Sequence, residues 1–591
     1  MKWKCAVETA IILASMLVVP IRVQEVHGVG TIFVRHGGII HSLNLGVTTA
    51  DTGSNLSSTV GTVYINPDGR VNPKTPSIAT SDNITYTLTE DVIEAIVVER
   101  SDITLNGNGH ELQADPVAAA NGSGIALAGT YHSTTHIVTG LSNVTVENVK
   151  IRGFAYGIVV QSPNATIRGN NVTDCGSIGI FLRYSPMCSV ATNYVSHNIW
   201  GVYLWNSPNC ELQNNTMVGD HYNLGVDGNI GAFENSISTS NTVNGKIVYY
   251  LVNQNNIVID PSTCPNPGYL ALVNSTDIAV QNLNFASNQD GILLVNTNNS
   301  RISNVYATEN YAGIVLAWSS NVTVESCTAS INFESGIGLY SSDNCTITSN
   351  TVINQTEHAI VGASNGIELT TLSDYNVVTA NNILSNRYGI YIAGSESNCI
   401  YHNNFIGNSV QAGTTGDLNN WSQGSPQEGN YWSDYFFDIS ANNDGLGNVP
   451  YTIDTDNQDA YPLMGTFSEY QVSSTNSVQT ICNSTVSDFT FNGTAISFNV
   501  SGENDTSGFC RIRVPTLAFN DSFKVYVNGT EVAYALMPCS NGKYDYLYFT
   551  YNHSTQRVVI VPEFLSSLIV PSLATTTMII AIHKRKHANN V

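Results

Sequence analysis

The sequence predicts an all-β fold: a right-handed parallel β-helix solenoid, then a small β-sandwich, then a C-terminal transmembrane helix. Three observations carry that expectation. A Gly followed by Ile or Val and alternating apolar residues recurs at fixed spacing, with Gly157, Gly179 and Gly201 lying 22 residues apart and Gly268, Gly291, Gly313 and Gly336 following at 22 or 23. Such self-similarity marks a solenoid. Charged residues make up only 11% of the chain and hydrophobic ones 42%, which suits many short strands and polar turns and not disorder. Finally, a nearly charge-free run from Phe564 to Ile582 is followed at once by the basic cluster His583 to His587. That run is long enough to cross a bilayer, with the basic end on the cytoplasmic side.

The period selects the kind of solenoid. Helical repeats need about 33 residues or more, whereas 22–23-residue coils with β-branched alternation give a few short strands each. The Leu-x-x-Leu-x-Leu framework of leucine-rich repeats is absent. Parallel crossovers are right-handed almost without exception, hence the handedness expected here. The wider gap from Gly201 to Gly268 is about three periods and implies two further coils, and that from Gly336 to Gly366 implies one coil with a longer loop. Counting 13 to 15 residues past each Gly gives Asn170, Asn193, Asn214, Asn282, Asn304, Asn350, Asn381 and Asn403. Asn tolerates tight corners, and stacked amides hydrogen-bond from coil to coil, so these eight are expected to form a structural ladder. Cys188, Cys210, Cys345 and Cys399 share one coil position that elsewhere holds small apolar residues, as core thiols do; the alternative for Cys188 and Cys210, 22 residues apart and so stacked neighbours, is a disulfide between them.

Along the chain, Lys2 and Lys4 before the apolar stretch Ala10 to Pro20 read as a signal peptide over residues 1–27. Residues 28–60 are a leader or cap, 61–410 the β-helix and 411–466 a closing segment. Residues 467–562 read as a β-sandwich stalk, with alternating stretches around the hairpin signal Asn528-Gly529. Residues 563–583 form the span and 584–591 the tail. The body is therefore expected outside the cell, exported and membrane-anchored, with sequons such as Asn143, Asn164 and Asn321 as glycan acceptors. In that oxidising setting Cys510 and Cys539 are the expected disulfide.

The element Gly429-Asn430-Tyr431-Trp432-Ser433-Asp434-Tyr435, the close Tyr461-Pro462-Leu463 and the stretch Gly245-Lys246-Ile247-Val248-Tyr249-Tyr250 together resemble the NosD-like family of right-handed β-helix proteins. The resemblance covers roughly residues 60 to 465. It extends to the broader carbohydrate-binding and sugar-hydrolase β-helix group, and it implies a copper-maturation role of the NosD kind. Copper needs clustered soft ligands. The 13 His and 7 Met are scattered, with no His-x-His or Met-x-x-Met cluster in the body.

Candidate chemistry is sparse. The net charge of −23 and the lack of an internal basic run exclude nucleic acid as a partner. Asp438, Asn442, Asp444, Asp454 and Asp456, around an Asp-Gly-x-Gly turn, offer the oxygen ligands that calcium takes; an Asx-rich turn needing no ion is the alternative. The stretch from Asp220 to Glu234 is the densest set of reactive side chains and supplies His221, Asp227 and Glu234 as catalytic candidates, the alternative being an insertion loop. Other solenoid acids, Glu368 among them, form no Asp-Asp or Gly-His-Gly element. Tyr184, Tyr203, Trp205, Tyr340 and Tyr391 lie near coil faces, where rings stack on sugars or on one another. Three readings follow: a surface module contacting polysaccharide or envelope glycans without turnover, a polysaccharide lyase, hydrolase or epimerase, or copper delivery.

Overall fold

In the computed structural model the described residues are 31–36, 39–44, 61–114, 122–132, 137–355, 364–424, 426–436, 443–516 and 523–562. They fall into two compact units, one comprising residues up to 400 with 405–420 and 452–458, the other 401–404, 421–451 and the chain from 459. The first is a right-handed parallel β-solenoid. Each coil carries three short strands, as in Tyr156–Gln161, Thr166–Arg168 and Asn171–Thr173, then Ile178–Arg183, Ser189–Ala191 and Tyr194–Ser196. Side chains alternate along each strand, so the repeat's apolar residues stack inward in columns. Ile158, Ile180, Val202 and Leu224 form one such column, and Val160, Leu182, Leu204 and Val226 the next. All eight are buried.

Buried polar groups at the corners are satisfied from coil to coil. Asn170 Nδ2 donates to Asn193 Oδ1 at 3.0 Å, Asn193 Nδ2 to Asn215 Oδ1 at 3.0 Å, and Asn215 Nδ2 to Asn241 Oδ1 at 2.8 Å. Each carbonyl oxygen also accepts the backbone N–H of the previous coil, as Asn193 Oδ1 does from Asn170 at 3.0 Å. In the second half, the corner before each third strand holds apolar Leu283, Val305 and Cys327 and then Asn350, which donates to Asn381 at 3.0 Å. In the second unit, Asn403 donates to Asn430 in the same manner. Asn214, Asn282 and Asn304 are not rungs. They sit one residue earlier, in the left-handed conformation with φ of 53°, 59° and 53°. The expected spacing merged two adjacent positions, a left-handed corner and the inward rung beside it.

A second ladder, which the sequence count did not pick out, runs through Asn310, Asn332 and Gln355 and through Asn386 to Asn408. It explains the repeat glycine. A Cβ on Gly291 would lie 2.6 Å from the Gly313 carbonyl oxygen and 2.9 Å from Asn310 Nδ2. Only glycine lets the ladder amide pack against the strand of the previous coil.

Midway, the solenoid shifts by one side. The eight-stranded sheet of long strands ends at Tyr222–Asp227. The column of third strands instead passes through Thr242–Val243, turns at Asn244-Gly245 and continues as Lys246–Val252 and Pro267–Val273 into the long strands of the second half. Asn244 and Gly245 both have positive φ, as a two-residue hairpin turn requires. The exposed edge of Tyr222–Asp227 is closed by Asn223 N donating to Ser287 O at 2.8 Å and Gln289 N to Leu224 O at 3.1 Å.

The second unit contains two five-stranded antiparallel sheets that share a buried core including Phe498, Ile512, Leu547 and Ile560. Its Gly-Asn-Tyr-Trp element is fixed by the buried carboxylate of Asp459, which accepts from Asn430 N at 2.7 Å and Trp432 Nε1 at 2.9 Å. Among the described residues no helix is long and apolar enough to cross a membrane. The span expected over residues 563–583 and the signal peptide over 1–27 lie outside the described residues.

The ladder should carry measurable stability. Asn193→Leu strips Asn170 of its acceptor and leaves the Ile167 carbonyl without its amide donor. We expect a loss of about 3 kcal/mol in thermal or denaturant unfolding, with faster hydrogen exchange at the Asn170 amide. Asn304→Ser, at a corner outside the rung column, should change stability by less than about 1 kcal/mol.

Candidate functional site

Two regions of the solenoid gather reactive side chains. The first is an open cleft of about 450 Å³ at the shift in stacking, lined by His197, Asn198, Gly219, Asp220, His221, Ser287 and Glu309. It exists because the strand after His221 ends one sheet while the segment at Ser287 begins the next stack. His197, His221 and Glu309 stand exposed, and Asp220 is buried in the wall. Asp220 Oδ1 accepts from Asn198 N and Nδ2, both at 2.8 Å.

The other oxygen of Asp220 does not aim into the opening. A Cβ on Gly201 would meet Asp220 Oδ2 at 2.5 Å, just as one on Gly179 would meet Asn198 Nδ2 and one on Gly313 Asn332 Nδ2. Asp220 thus occupies a rung of the second ladder, with an oxygen where the other coils place an amide nitrogen. Burial pushes its pKa up to about 6, against the hydrogen bonds from Asn198 that lower it. Its role is that of a ladder terminus.

Of the three catalytic candidates only His221 reaches this cleft. Asp227 is buried at the end of its strand, accepting from the Tyr203 hydroxyl at 3.3 Å and from Gly228 N at 2.7 Å. Glu234 caps the short 3-10 helix Ile230–Phe233 and accepts from Asn274 Nδ2 at 3.4 Å. The stretch is not an insertion loop, because Tyr222–Asp227 is a regular strand of the long sheet.

The second region is the outer face of the long strands in the second half. Gly338, Glu368, Tyr391 and Gly413 are register neighbours in four successive strands, with Ser335, Asn365 and Tyr388 forming a parallel row. Glu368 Oε2 accepts from Asn365 Nδ2 at 3.1 Å and from the Tyr340 hydroxyl at 3.5 Å. The Tyr388 and Tyr391 rings lie 5.4 Å apart, and the Arg387 guanidinium sits 5.5 Å from the Tyr388 centroid. Gly338 and Gly413 make room: a Cβ on either would come within 2.9 Å of the Tyr340 or Tyr388 ring. Glu368, Arg387, Tyr388 and Tyr391 are half-buried, floor and rim of an accessible face. Burial first, then the Glu368 charge, raises the Tyr391 pKa, so its hydroxyl stays a donor at neutral pH. The other aromatic candidates differ in exposure. Tyr203 and Trp205 are buried and pack on Phe181 at 5.5 and 6.4 Å, and Tyr340 is buried too. Tyr184 is half-buried against Tyr131.

The acidic turn is held by its own backbone. Asp454 Oδ1 accepts from Asp456 N at 2.7 Å and Asn457 N at 2.8 Å, and Asp444 Oδ1 from Leu446 N at 3.0 Å. Asp456 accepts from Thr455 Oγ1 at 3.1 Å. Asp438 and Asn442 lie outside the described residues. Among the described residues no three His, Cys, Asp or Glu side chains are grouped to hold a metal ion.

Asp220 gives a pH-dependent test. Its folded pKa of about 6 stands above the carboxylate value of 3.8, so between about pH 4 and 6 the folded state keeps a proton that the unfolded chain releases. Stability from this group therefore falls as pH rises through that window. Asp220→Asn restores an amide to the rung and should stabilise the solenoid by about 2–3 kcal/mol at pH 8, with the gain fading below pH 6. Calorimetric melting at a series of pH values reads this directly.

No curated protein sequence matches the chain significantly. Among solved structures it is similar to the A-module of the mannuronan C-5 epimerase AlgE6 of Azotobacter vinelandii, at 15% identity and a TM-score of 0.24 over 59% of this chain and 85% of that one. It is also similar to a tailspike of E. coli bacteriophage HK620, solved with a pentasaccharide, at 11% identity and a TM-score of 0.29 over 81% and 87%. A third is the periplasmic alginate epimerase AlgG, at 12% identity and a TM-score of 0.24 over 60% and 82%. Residues 123–269 match the model of the right-handed β-helix region, and residues 233–436 that of the periplasmic copper-binding protein NosD. With its parallel coils and its Gly429-to-Tyr435 closing element, the chain belongs to the NosD-like right-handed β-helix family.

Proposed function

We propose that this chain is an exported, membrane-anchored surface protein whose solenoid binds glycan chains along the face around Glu368, without chemical turnover. In this reading residues 1–27 direct export, 467–562 are a β-sandwich stalk and 563–583 the anchor. One observation carries the binding: a half-buried carboxylate, held by the buried amide of Asn365, lies beside two half-buried tyrosine rings and a half-buried guanidinium on the outer side of adjacent strands. Sugar rings offer C–H faces to aromatic rings and hydroxyls to a carboxylate or a guanidinium, so this set matches both halves of a pyranose. An open face on stacked strands also suits a polymer better than a small molecule.

The enzymatic reading has less to stand on. The acid buried in the wall of the His197–His221 cleft turns its second oxygen to Gly201 and not toward a substrate. Copper delivery fits worse. The Cys188 and Cys210 thiols donate into the core, to the carbonyls of Ser162 and Ser185 at 3.3 Å. The imidazoles of the cleft stand among carboxylates, without thiol or thioether.

The test is an array of polysaccharides and oligosaccharides probed with residues 28–560, followed by mass spectrometry of the incubated panel. Saturable binding with an unaltered panel is expected. Tyr391→Ala should weaken it about tenfold and Glu368→Gln by at least as much. Shortened, unsaturated or epimerised products would overturn the non-catalytic reading, and binding untouched by both variants would remove the face from it.

A further inference from the structure

Sulfur placement in the second unit points to a covalent site. Cys482 ends the strand Ser477–Cys482 and Cys510 lies within Ser507–Pro515. These are adjacent antiparallel strands, and the two cysteines are direct register partners. Both are fully buried in the apolar core shared by the two sheets. Directly opposed residues hold their Cα atoms about 4.5–5.5 Å apart and project from the same face, within the range that a disulfide spans. Burial first, and then the neighbouring Cys482 thiol, raise the Cys510 pKa and hold its thiol protonated.

Cys539 is elsewhere. It lies 3.6 Å from an Arg511 guanidinium nitrogen, and Arg511 also binds Glu428 Oε1 at 2.5 Å. Successive residues of a strand point to opposite faces, so Arg511 and its Cys539 contact are on the far side of the sheet from Cys510. The pairing of Cys510 with Cys539 expected from sequence is thereby excluded by the pleat.

We propose that Cys482 and Cys510 are joined by a disulfide that staples the central strand of this sheet to its neighbour Ser477–Cys482. Both thiols lose a proton and together give up two electrons to the disulfide of a thiol-oxidising carrier, which is reduced to its dithiol as the new S–S bond forms. The buried position makes the bond part of folding and shields it afterwards. In a cell, formation rests on the export proposed above, so the test is made independent of location.

The full chain in detergent is unfolded, refolded in a mixture of reduced and oxidised glutathione, alkylated under denaturing conditions and digested. A linked peptide joining Cys482 to Cys510, two hydrogens lighter than the dithiol, is expected. So is a drop in the melting temperature of this unit of about 10 °C when the chain is instead refolded with excess reductant. The double variant Cys482→Ala, Cys510→Ala should melt at one temperature with and without reductant. Alkylation of both cysteines after oxidative refolding, or a link from Cys510 to Cys539, overturns the proposal. A linked peptide in refolded protein, with reduced cysteines in protein taken from cells, would uphold the pairing and count against the export reading alone.

Discussion

A buried amide placed over a glycine is the contact on which this solenoid depends. At each turn the chain must bend sharply inside a narrow core, which leaves backbone N–H groups pointing inward where no strand can pair them. An inward Asn or Gln accepts that N–H with its oxygen and donates its own amide to the next rung and to backbone carbonyls of earlier coils. The amide needs space against the long strand, and the repeat glycine provides it. Buried polar groups without partners are costly, so each rung commits its neighbours, and the stack propagates by nearest-neighbour contact.

The same logic explains where the regularity breaks. Asp220 ends one run of rungs, having no amide to pass on, and the second ladder restarts beyond the hairpin at Asn244-Gly245. Between these points the long-strand column passes from one side of the solenoid to another. The shift leaves the His197–His221 cleft as its surface trace, so that cleft is explained by folding before chemistry is invoked.

The face around Glu368 has the opposite origin. Its residues are not rungs and take no part in the core columns; they are the outward alternates of strands whose inward residues do the stacking. Glycines at 338 and 413 flatten the surface while tyrosines and a carboxylate occupy the places between them. Structural need is met by the other side of each strand, which leaves this side free to be shaped by a ligand. That division of labour is available to any β-solenoid and does not by itself dictate what is bound.

The fold was legible in the sequence because its cause is periodic. The glycine spacing, the β-branched alternation and the Gly-Asn-Tyr-Trp element are local signals, and stacking repeats them until they rise above chance. Local spacing could not separate a left-handed corner from the inward position one residue later, so Asn214, Asn282 and Asn304 stood in place of Asn215, Leu283 and Val305. Nor could it show that Cys510 faces Cys482, since that follows from strand pairing and the alternation of the pleat. The strand that carries Asn365 and Glu368 and the strand that carries Tyr388 and Tyr391 are 23 residues apart in register, and no motif records a juxtaposition across coils. Sequence alone determined the coil, because every turn repeats the same requirement; only the tertiary structure decided which side chains meet, because that depends on the register between coils.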